Sequence, residues 1–282
     1  MREVDLTKYL RASKKLDLDG IDFESVPAYP LSREEIRCLT YMMDIETHTV
    51  IYLRDLLTTP AANDPDVTAF LSLWVYEEFW HGEALGRFLQ AAGERFTPDR
   101  TAEIRRSAGV RDVLGTIGKM TAARFLPDFV AVHMTWGAMN ELSTLNGYHR
   151  LIATTRHPIL RQLLGRIVKD ERRHYAFYYN QARARLDGNP RAQKLVRWAL
   201  DRLWAPVGTG VRPQAETDAV ILSLFGDEDG AAAVLEMEAE LSKLPGLSGM
   251  RLLRRAMGRA ADRAGRAPAR ARTALPVAAS IV

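Results

Sequence analysis

Hydrophobic residues recur at intervals of three and four over long stretches of the chain, and few segments alternate with a period of two. This spacing is typical of amphipathic helices and argues against strands. The pattern therefore predicts an all-α protein dominated by four long helices. Their expected ranges are residues 32–59, 64–92, 127–155 and 157–186.

Local start and stop signals set the first of these boundaries. Ser32-Arg-Glu-Glu35 fits a capping box ahead of the first helix, which runs until Pro60. Asp64-Pro65 starts the second helix, and Gly93 follows its end, where a left-handed residue is common.

The rest of the chain is predicted to complete a ferritin-like four-helix bundle. A shorter helical segment at about 101–125 provides the long crossover that such a bundle requires. Accessory helices are expected at 214–225 and 231–244. We predict four regions: an N-terminal helix and strap (1–31), the bundle (32–205), accessory helices that pack on it (206–250) and a basic, partly mobile tail (251–282).

Composition is that of an ordinary globular protein. With 47% hydrophobic and 26% charged residues among 282, the chain can bury a sizeable core. The N-terminus lacks the apolar run of a signal peptide, and no window approaches the ~18 apolar residues of a membrane helix. We therefore expect a cytoplasmic protein without a transmembrane segment. The single cysteine, Cys38, excludes an internal disulfide and an iron–sulfur cluster bound by the chain's own thiolates.

Positive charge concentrates in one segment. Eight arginines lie between Arg251 and Arg272 against a single acid, Asp262, whereas the whole chain has a net charge of +4. Two interpretations stay open: a solvated tail, or a patch that attracts an acidic partner or an anionic surface. Nucleic acid is not expected as a partner, because no binding motif or aromatic platform accompanies the charge.

One motif occurs twice and places an acid and a histidine inside an apolar helix. Glu78 and His81 lie three residues apart in the second predicted helix, and Glu171 and His174 repeat this arrangement in the fourth. Residues three apart share one face of a helix, so each pair can contact the same ion. A single Glu-x-x-His would mean little; two in matching helices indicate a shared function.

The other two long helices each add a glutamate among apolar residues. Glu46 precedes Glu78 by 32 residues, and Glu141 precedes Glu171 by 30, so the chain repeats a two-helix unit. This is the ligand inventory of the di-iron bundle proteins. Four carboxylates in a dry core repel each other, and two divalent cations cancel their charge. Carboxylate and imidazole ligands without thiolate favour iron or manganese over structural zinc.

Two further acids and four further histidines have supporting or unrelated roles. Glu77 and Asp170 each precede a histidine by four residues and are predicted to accept a hydrogen bond from an imidazole N–H. The alternative is that both are exposed helix charges. The remaining histidines complete no such pair and are interpreted as surface or core residues: His48, His133, His149 and His157.

At these residues the sequence resembles the soluble acyl-acyl carrier protein desaturases of the ferritin-like di-iron superfamily. Glu77-Glu78-Phe-Trp-His81-Gly82 is similar to that family's Glu-Glu-x-x-His-Gly, and Asp170-Glu171-Arg-Arg-His174 to its Asp-Glu-Lys-Arg-His. Glu141-Leu-Ser-Thr144 matches its Glu-Arg-Ala-Thr at both ends. The resemblance covers about residues 32–190. Phe79-Trp80 replaces the usual Asn-Arg, and the chain is shorter than the plant-type enzymes, which leaves the substrate and the reaction open.

The resemblance implies two iron ions, with manganese as an alternative in either position, and dioxygen as co-substrate. It also implies an acyl carrier protein or acyl thioester as substrate, an external electron donor such as ferredoxin, and a homodimer. Thr144 is implied to face the oxygen-binding side. The implied ligands are Glu46, Glu78, His81, Glu141, Glu171 and His174. The apolar substrate wall is predicted to include Met134, Gly137, Ala138 and Tyr148, which lie one or two turns from Glu141.

Three functions stay open at this point. The first is an O2-dependent di-iron oxidase that desaturates an aliphatic acyl chain carried as a thioester on acyl carrier protein. The second is a di-iron oxygenase that hydroxylates or N-oxygenates a small metabolite, because a fold alone does not choose between such reactions. The third is a metal-storing or non-catalytic bundle, against which the long C-terminal extension argues.

Overall fold

A computed structural model of the protein describes residues 6–106 and 128–266. These residues form helices and no strand, with one isolated bridge between Thr209 and Arg212. The all-α prediction is confirmed. The helices are α1 (Leu6–Ala12), α2 (Arg33–Leu57), α3 (Pro65–Ala91), α4 (Phe129–Thr154), α5 (Pro158–Leu186), α6 (Pro190–Leu203), α7 (Gln214–Phe225), α8 (Glu228–Leu241) and α9 (Leu252–Arg266). Residues 100–106 are also helical, and the rest of the predicted crossover lies outside the described residues.

The boundaries of the four long helices, α2 to α5, lie within two residues of the predicted ones. Ser32 Oγ accepts a hydrogen bond from the Glu35 backbone N–H at 3.1 Å, and the Glu35 carboxylate accepts one from the Ser32 N–H at 2.7 Å. Asp64 caps α3 through its carboxylate, with Pro65 at the first helical position. Gly93, at φ 95°, follows the end of α3. Local capping chemistry therefore sets where these helices begin and end.

The long helices pack in two pairs, α2 along α3 and α4 along α5, and α3 also contacts α5. Aromatic residues fill the space between the pairs: the rings of Phe70 and Phe177 stack with centroids 3.8 Å apart. In the N-terminal region, α1 packs on α3, and Leu16 and Val26 are buried. Among the described residues, no helix has both the length and the apolar character needed to cross a lipid bilayer.

Helix α6 is absent from the sequence prediction, in which no helix is expected between residues 186 and 214. Asn189 caps α6 through a hydrogen bond from the Ala192 N–H at 3.0 Å. Proline at a first helical position starts a helix as readily as it ends one. Val196 and Leu200 of α6 are buried, and the helix packs on α4 and α5.

The accessory helices pack on α2 and α4, and the second of them begins earlier than predicted because Asp227 caps it. The predicted tail also differs from the structure, because residues 252–266 form α9. One side of α9 is buried against α7 and α8 through Leu253, Ala256 and Ala260. Three of its arginines form ion pairs with acids of this same chain: Arg254 with Glu238, Arg255 with Asp201, and Arg263 with Asp218. Much of the charge in this segment thus holds α9 in place. Residues 267–282 lie outside the described residues.

Candidate metal centre

The structure brings the six predicted ligands together in the core, and all six are buried. They form two groups of four, in each of which the ligand atoms all lie within 4.8 Å of one another. The first group is Glu46, Glu78, His81 and Glu171; the second is Glu78, Glu141, Glu171 and His174. Because Glu78 and Glu171 belong to both groups, the arrangement offers two adjacent metal positions that share two carboxylates.

Four of the candidate metal-ligand atoms lack hydrogen-bond partners. Nδ1 of His81 is 3.1 Å from Glu171 Oε1, and Nδ1 of His174 is 3.0 Å from Glu78 Oε1. Neither nitrogen makes a hydrogen bond, and neither do the two oxygens of Glu171, although all four atoms are buried. Buried polar atoms in native proteins are normally paired. Divalent cations would satisfy these atoms, so the donor set fits a pair of metal ions.

The pKa values of the carboxylates show the electrostatic cost of this arrangement. Burial raises the pKa of Glu46, Glu78 and Glu141, and facing carboxylates raise those of Glu78 and Glu141 further. For Glu171, burial acts in the same direction, but its contacts with two imidazoles lower the pKa to about 2. Without cations, protons must therefore neutralise part of the negative charge.

The histidines are held by acids on the opposite helix. His81 Nε2 of α3 lies 3.2 Å from Asp170 Oδ2 of α5, and His174 Nε2 of α5 lies 2.8 Å from Glu77 Oε2 of α3. Arg173 donates to both acids, at 2.6 Å to Asp170 and 2.5 Å to Glu77. The predicted accepting role of the two acids is thus present, in a crossed form, and neither is an exposed helix charge. An imidazole whose Nε2–H is held in this way presents Nδ1 to the metal positions.

Tyr9 joins the N-terminal helix to this network, and the sequence gives no signal for it. Its hydroxyl donates to Glu77 Oε2 at 3.0 Å, and the Lys14 backbone N–H donates to Glu77 Oε1 at 3.3 Å. The contact joins residues 68 positions apart, so only the packing of α1 on α3 reveals it. The histidine side of the centre is therefore covered by the strap.

A cavity of about 990 Å³ reaches the opposite side of the centre. The carboxylates of Glu46, Glu78, Glu141 and Glu171 line it, whereas His81 and His174 do not. Its other walls come mainly from apolar residues of α2, α4 and α6 to α9. A ligand in the cavity would therefore approach the carboxylate side of the metal positions.

The cavity includes only part of the predicted substrate wall. Gly137 and Thr144 line the cavity, but Met134, Ala138 and Tyr148 do not. Met134 and Ala138 are fully buried in the core, and the Tyr148 hydroxyl donates to Glu46 Oε1. An α-helix turns by about 100° per residue. The residues of α4 that line the cavity therefore lie mainly on a side of the helix roughly a quarter turn from the side of Glu141. Proximity to Glu141 along the helix is therefore not enough to place a residue on the wall.

Four ring residues that the sequence does not single out as functional line the cavity beside the centre. They are Tyr52, Trp74, His133 and Tyr178, and we call them the aromatic quartet. Trp74 Nε1 donates to Glu141 Oε1 at 3.0 Å, and Tyr52 Oη lies 2.8 Å from His133 Nδ1. Of the other histidines outside the ligand set, His157 is buried and caps α5, His149 is partly exposed, and His48 lines the cavity.

Asp170→Asn and Glu77→Gln are each expected to weaken metal affinity by roughly 10- to 100-fold, because each removes the charge that orients a ligand imidazole. Competition with a coloured chelator measures the affinity. Asp187→Asn is the matched control, since Asp187 is exposed at the end of α5. Unchanged affinity in both variants would contradict the assigned roles.

Metal binding is expected to release protons and to tighten as pH rises. Burial disfavours the charged form of His81, but Asp170 and Glu171 raise its pKa to about 9; the pKa of His174 is also raised. Ligation requires the neutral imidazole, so protons compete with metal below about pH 9 and the competition grows as pH falls. For each proton released on binding, metal affinity increases roughly tenfold per unit rise in pH. Calorimetry at pH 7 in buffers of different ionisation enthalpy measures the number of protons released on metal binding. Binding without proton release would contradict this prediction.

Comparison with known proteins assigns no family to the chain. Protein-family models, curated proteins and solved structures gave no significant match. What the centre can do therefore depends on its own ligand atoms, their burial and the cavity beside them.

Proposed function

We propose that the protein is an O2-dependent non-haem di-iron oxidase built on a ferritin-like four-helix bundle. One observation supports this above all: four carboxylates and two imidazoles from four helices meet at two adjacent positions beside an apolar cavity. Bundle di-iron proteins use this same inventory of ligands. Iron is favoured by the oxygen and imidazole donors, and manganese is the alternative in either position.

The bound iron ions would supply the activation of dioxygen, with electrons from an external donor such as ferredoxin. The chain's own residues hold and shield the site. Glu78 and Glu171 each reach both metal positions, and Asp170 and Glu77 fix the orientation of the imidazoles. We assign to Thr144, on the cavity wall one turn beyond Glu141, the donation of a hydrogen bond on the side where dioxygen enters.

The favoured reaction is desaturation of an aliphatic acyl chain carried as a thioester on acyl carrier protein. The substrate loses one hydrogen from each of two adjacent carbons. With one dioxygen, two electrons and two protons, the products are the alkene and two waters. The cavity supports this choice, because its walls are mainly apolar and its volume of about 990 Å³ suits a chain of many carbons.

A second candidate is oxygenation of a small metabolite by hydroxylation or N-oxygenation. The polar atoms of Tyr52, His133 and Tyr178 beside the centre favour it, because a plain hydrocarbon chain would leave them unused. In this reaction one oxygen atom enters the substrate. The other leaves as water, with the same two electrons and two protons.

Product mass distinguishes the candidates. Reduced, iron-loaded protein is incubated with dioxygen and either acyl-carrier substrates or free metabolites, and a loss of two mass units marks desaturation, a gain of sixteen oxygenation. Glu171→Ala is the matched inactive control. About two irons per chain are expected. A protein that holds two irons and forms no oxygen-dependent product with any substrate class would overturn the enzymatic proposal, and hundreds of irons per assembly would indicate storage.

A further inference from the structure

The aromatic quartet is a closed set of ring contacts with one member from each of the four long helices. Ring centroids lie 5.5 Å apart for Tyr52 and His133, 5.9 Å for His133 and Tyr178, 6.1 Å for Tyr178 and Trp74, and 6.0 Å for Trp74 and Tyr52. All four rings line the cavity. The hydrogen bond from Trp74 to Glu141 joins the quartet to the metal centre, so a group held by the quartet lies next to the reacting position.

The quartet carries polar atoms with hydrogen-bonding capacity. Tyr178 is fully buried, and its hydroxyl has no hydrogen-bond partner. The Tyr52 hydroxyl shares one hydrogen bond with His133 Nδ1 at 2.8 Å, and a hydroxyl can donate one bond and accept two. Gly137 allows the Tyr178 ring to lie against α4, because an added Cβ would come within 2.2 Å of that ring. Tyr178 thus lines the cavity and carries a buried hydroxyl without a partner, whereas buried polar groups normally have one.

Charge limits what that partner can be. Among the described residues that line the cavity there is no lysine or arginine, whereas Asp55 and the four carboxylates of the metal centre are present. Two divalent metal ions would neutralise those four carboxylates, which would leave no excess positive charge for an anionic ligand. An anion buried there would lose its hydration without gaining a counter-charge. A neutral group with donor or acceptor atoms loses far less.

We infer that the cavity selects a substrate whose neutral hydrogen-bonding group, a hydroxyl, carbonyl or amide on an apolar skeleton, is held by Tyr52, His133 and Tyr178 beside the metal centre. The inference rests on the proposed function, since it defines the substrate class of the same site. The carbonyl of a thioester belongs to this class and so does the hydroxyl or amide of a small metabolite. A free carboxylate or a phosphate at the quartet does not.

Binding of three ten-carbon probes tests the inference without turnover. Iron-loaded protein is titrated in the absence of oxygen with 1-decanol, 1-chlorodecane and decanoate, and tryptophan fluorescence reports binding because Trp74 and Trp136 line the cavity. We expect 1-decanol to bind roughly 3- to 10-fold more tightly than 1-chlorodecane, as one hydrogen bond provides. Decanoate is expected to bind more than about tenfold more weakly than 1-decanol, because its charge is buried without a partner.

Two conservative variants identify the group that binds the probe. Tyr52→Phe and Tyr178→Phe are each expected to reduce the preference for 1-decanol towards unity and to leave the affinity for 1-chlorodecane unchanged. Tyr178→Phe also removes a buried hydroxyl that has no partner, so its thermal midpoint should equal or exceed that of the wild type. A purely structural role of Tyr178 would not combine a lost preference for 1-decanol with an unchanged or raised thermal midpoint. Tyr29→Phe is the matched control, since Tyr29 also contacts a histidine, His157, at a centroid distance of 5.4 Å, but does not line the cavity.

Equal affinity of the wild type for 1-decanol and 1-chlorodecane would overturn the inference, and so would a preference that survives in both variants. Tighter binding of decanoate would also overturn it. If the expected preferences are found but no substrate is ever oxidised, the proposed function fails while the assignment of the cavity stands. If a substrate is oxidised but the expected binding preferences are not found, the proposed function stands while the assignment of the cavity fails.

Discussion

Glu171→Ala is expected to abolish stoichiometric metal binding and, with it, any oxygen-dependent activity. Glu171 is fully buried, belongs to both groups of ligand atoms, and both its oxygens lack hydrogen-bond partners. Its removal leaves three carboxylates and takes one shared ligand from each position. Elemental analysis after loading with ferrous iron and desalting gives the measurement: about two irons per chain in the wild type and none retained in the variant.

Glu83→Ala is the control for this change, because Glu83 is exposed on α3 two residues beyond the candidate ligand His81. It should load like the wild type. Full loading of Glu171→Ala would refute the ligand assignment, whereas loss in both variants would indicate that the loading procedure, and not Glu171, is at fault. Circular dichroism of the variant checks that its helices form.

Removing the metal ions is expected to lower the midpoint of thermal unfolding by roughly 5 to 15 °C. A ligand that binds only the folded protein stabilises it by about 3–4 kcal/mol at several hundred times its dissociation constant, and about 2–4 °C per kcal/mol applies to a chain of this size. The buried carboxylates add a reason: without cations they must be neutralised by protons or face one another charged. Differential scanning calorimetry with and without a chelator measures the shift.

The same chelator should leave the midpoint of Glu171→Ala unchanged, because that variant has no intact position to lose. A wild-type midpoint that does not move, or rises, on chelation would show that the six residues do not hold structural metal. The wild type reloaded with iron should regain its original midpoint, which separates metal loss from irreversible damage.

The long helices and the six candidate ligands follow from the sequence because the signals for them are local. Capping at Ser32 and Asp64 depends on neighbouring residues, and the Glu-x-x-His spacing places two ligands on one helix face whatever the surroundings. Helix α6 also has a local signal, because Asn189 is followed by Pro190. A proline at this position, however, is compatible both with the end of α5 and with the beginning of another helix.

The features that the sequence did not reveal depend on how the helices are rotated against each other. Met134 and Ala138 lie near Glu141 along α4, yet the cavity opens on another side of that helix because α6 to α8 pack there. His133 has no acid at helical spacing, and its partner Tyr52 is 81 residues away. Tyr9 reaches Glu77 across a similar distance along the chain. No periodicity within one helix can place such pairs.

The crossed pairing of acids and histidines has a consequence for the order of events during biosynthesis. Every candidate ion position needs Glu171 of α5 together with residues of α3, and each ligand histidine is oriented by an acid from the other helical hairpin. A nascent chain that ends before α5 has no complete set of donors. If the proposed metal centre is correct, it can therefore be loaded only after α5 has left the ribosome and docked, and a truncated translation product would take up no metal at these positions.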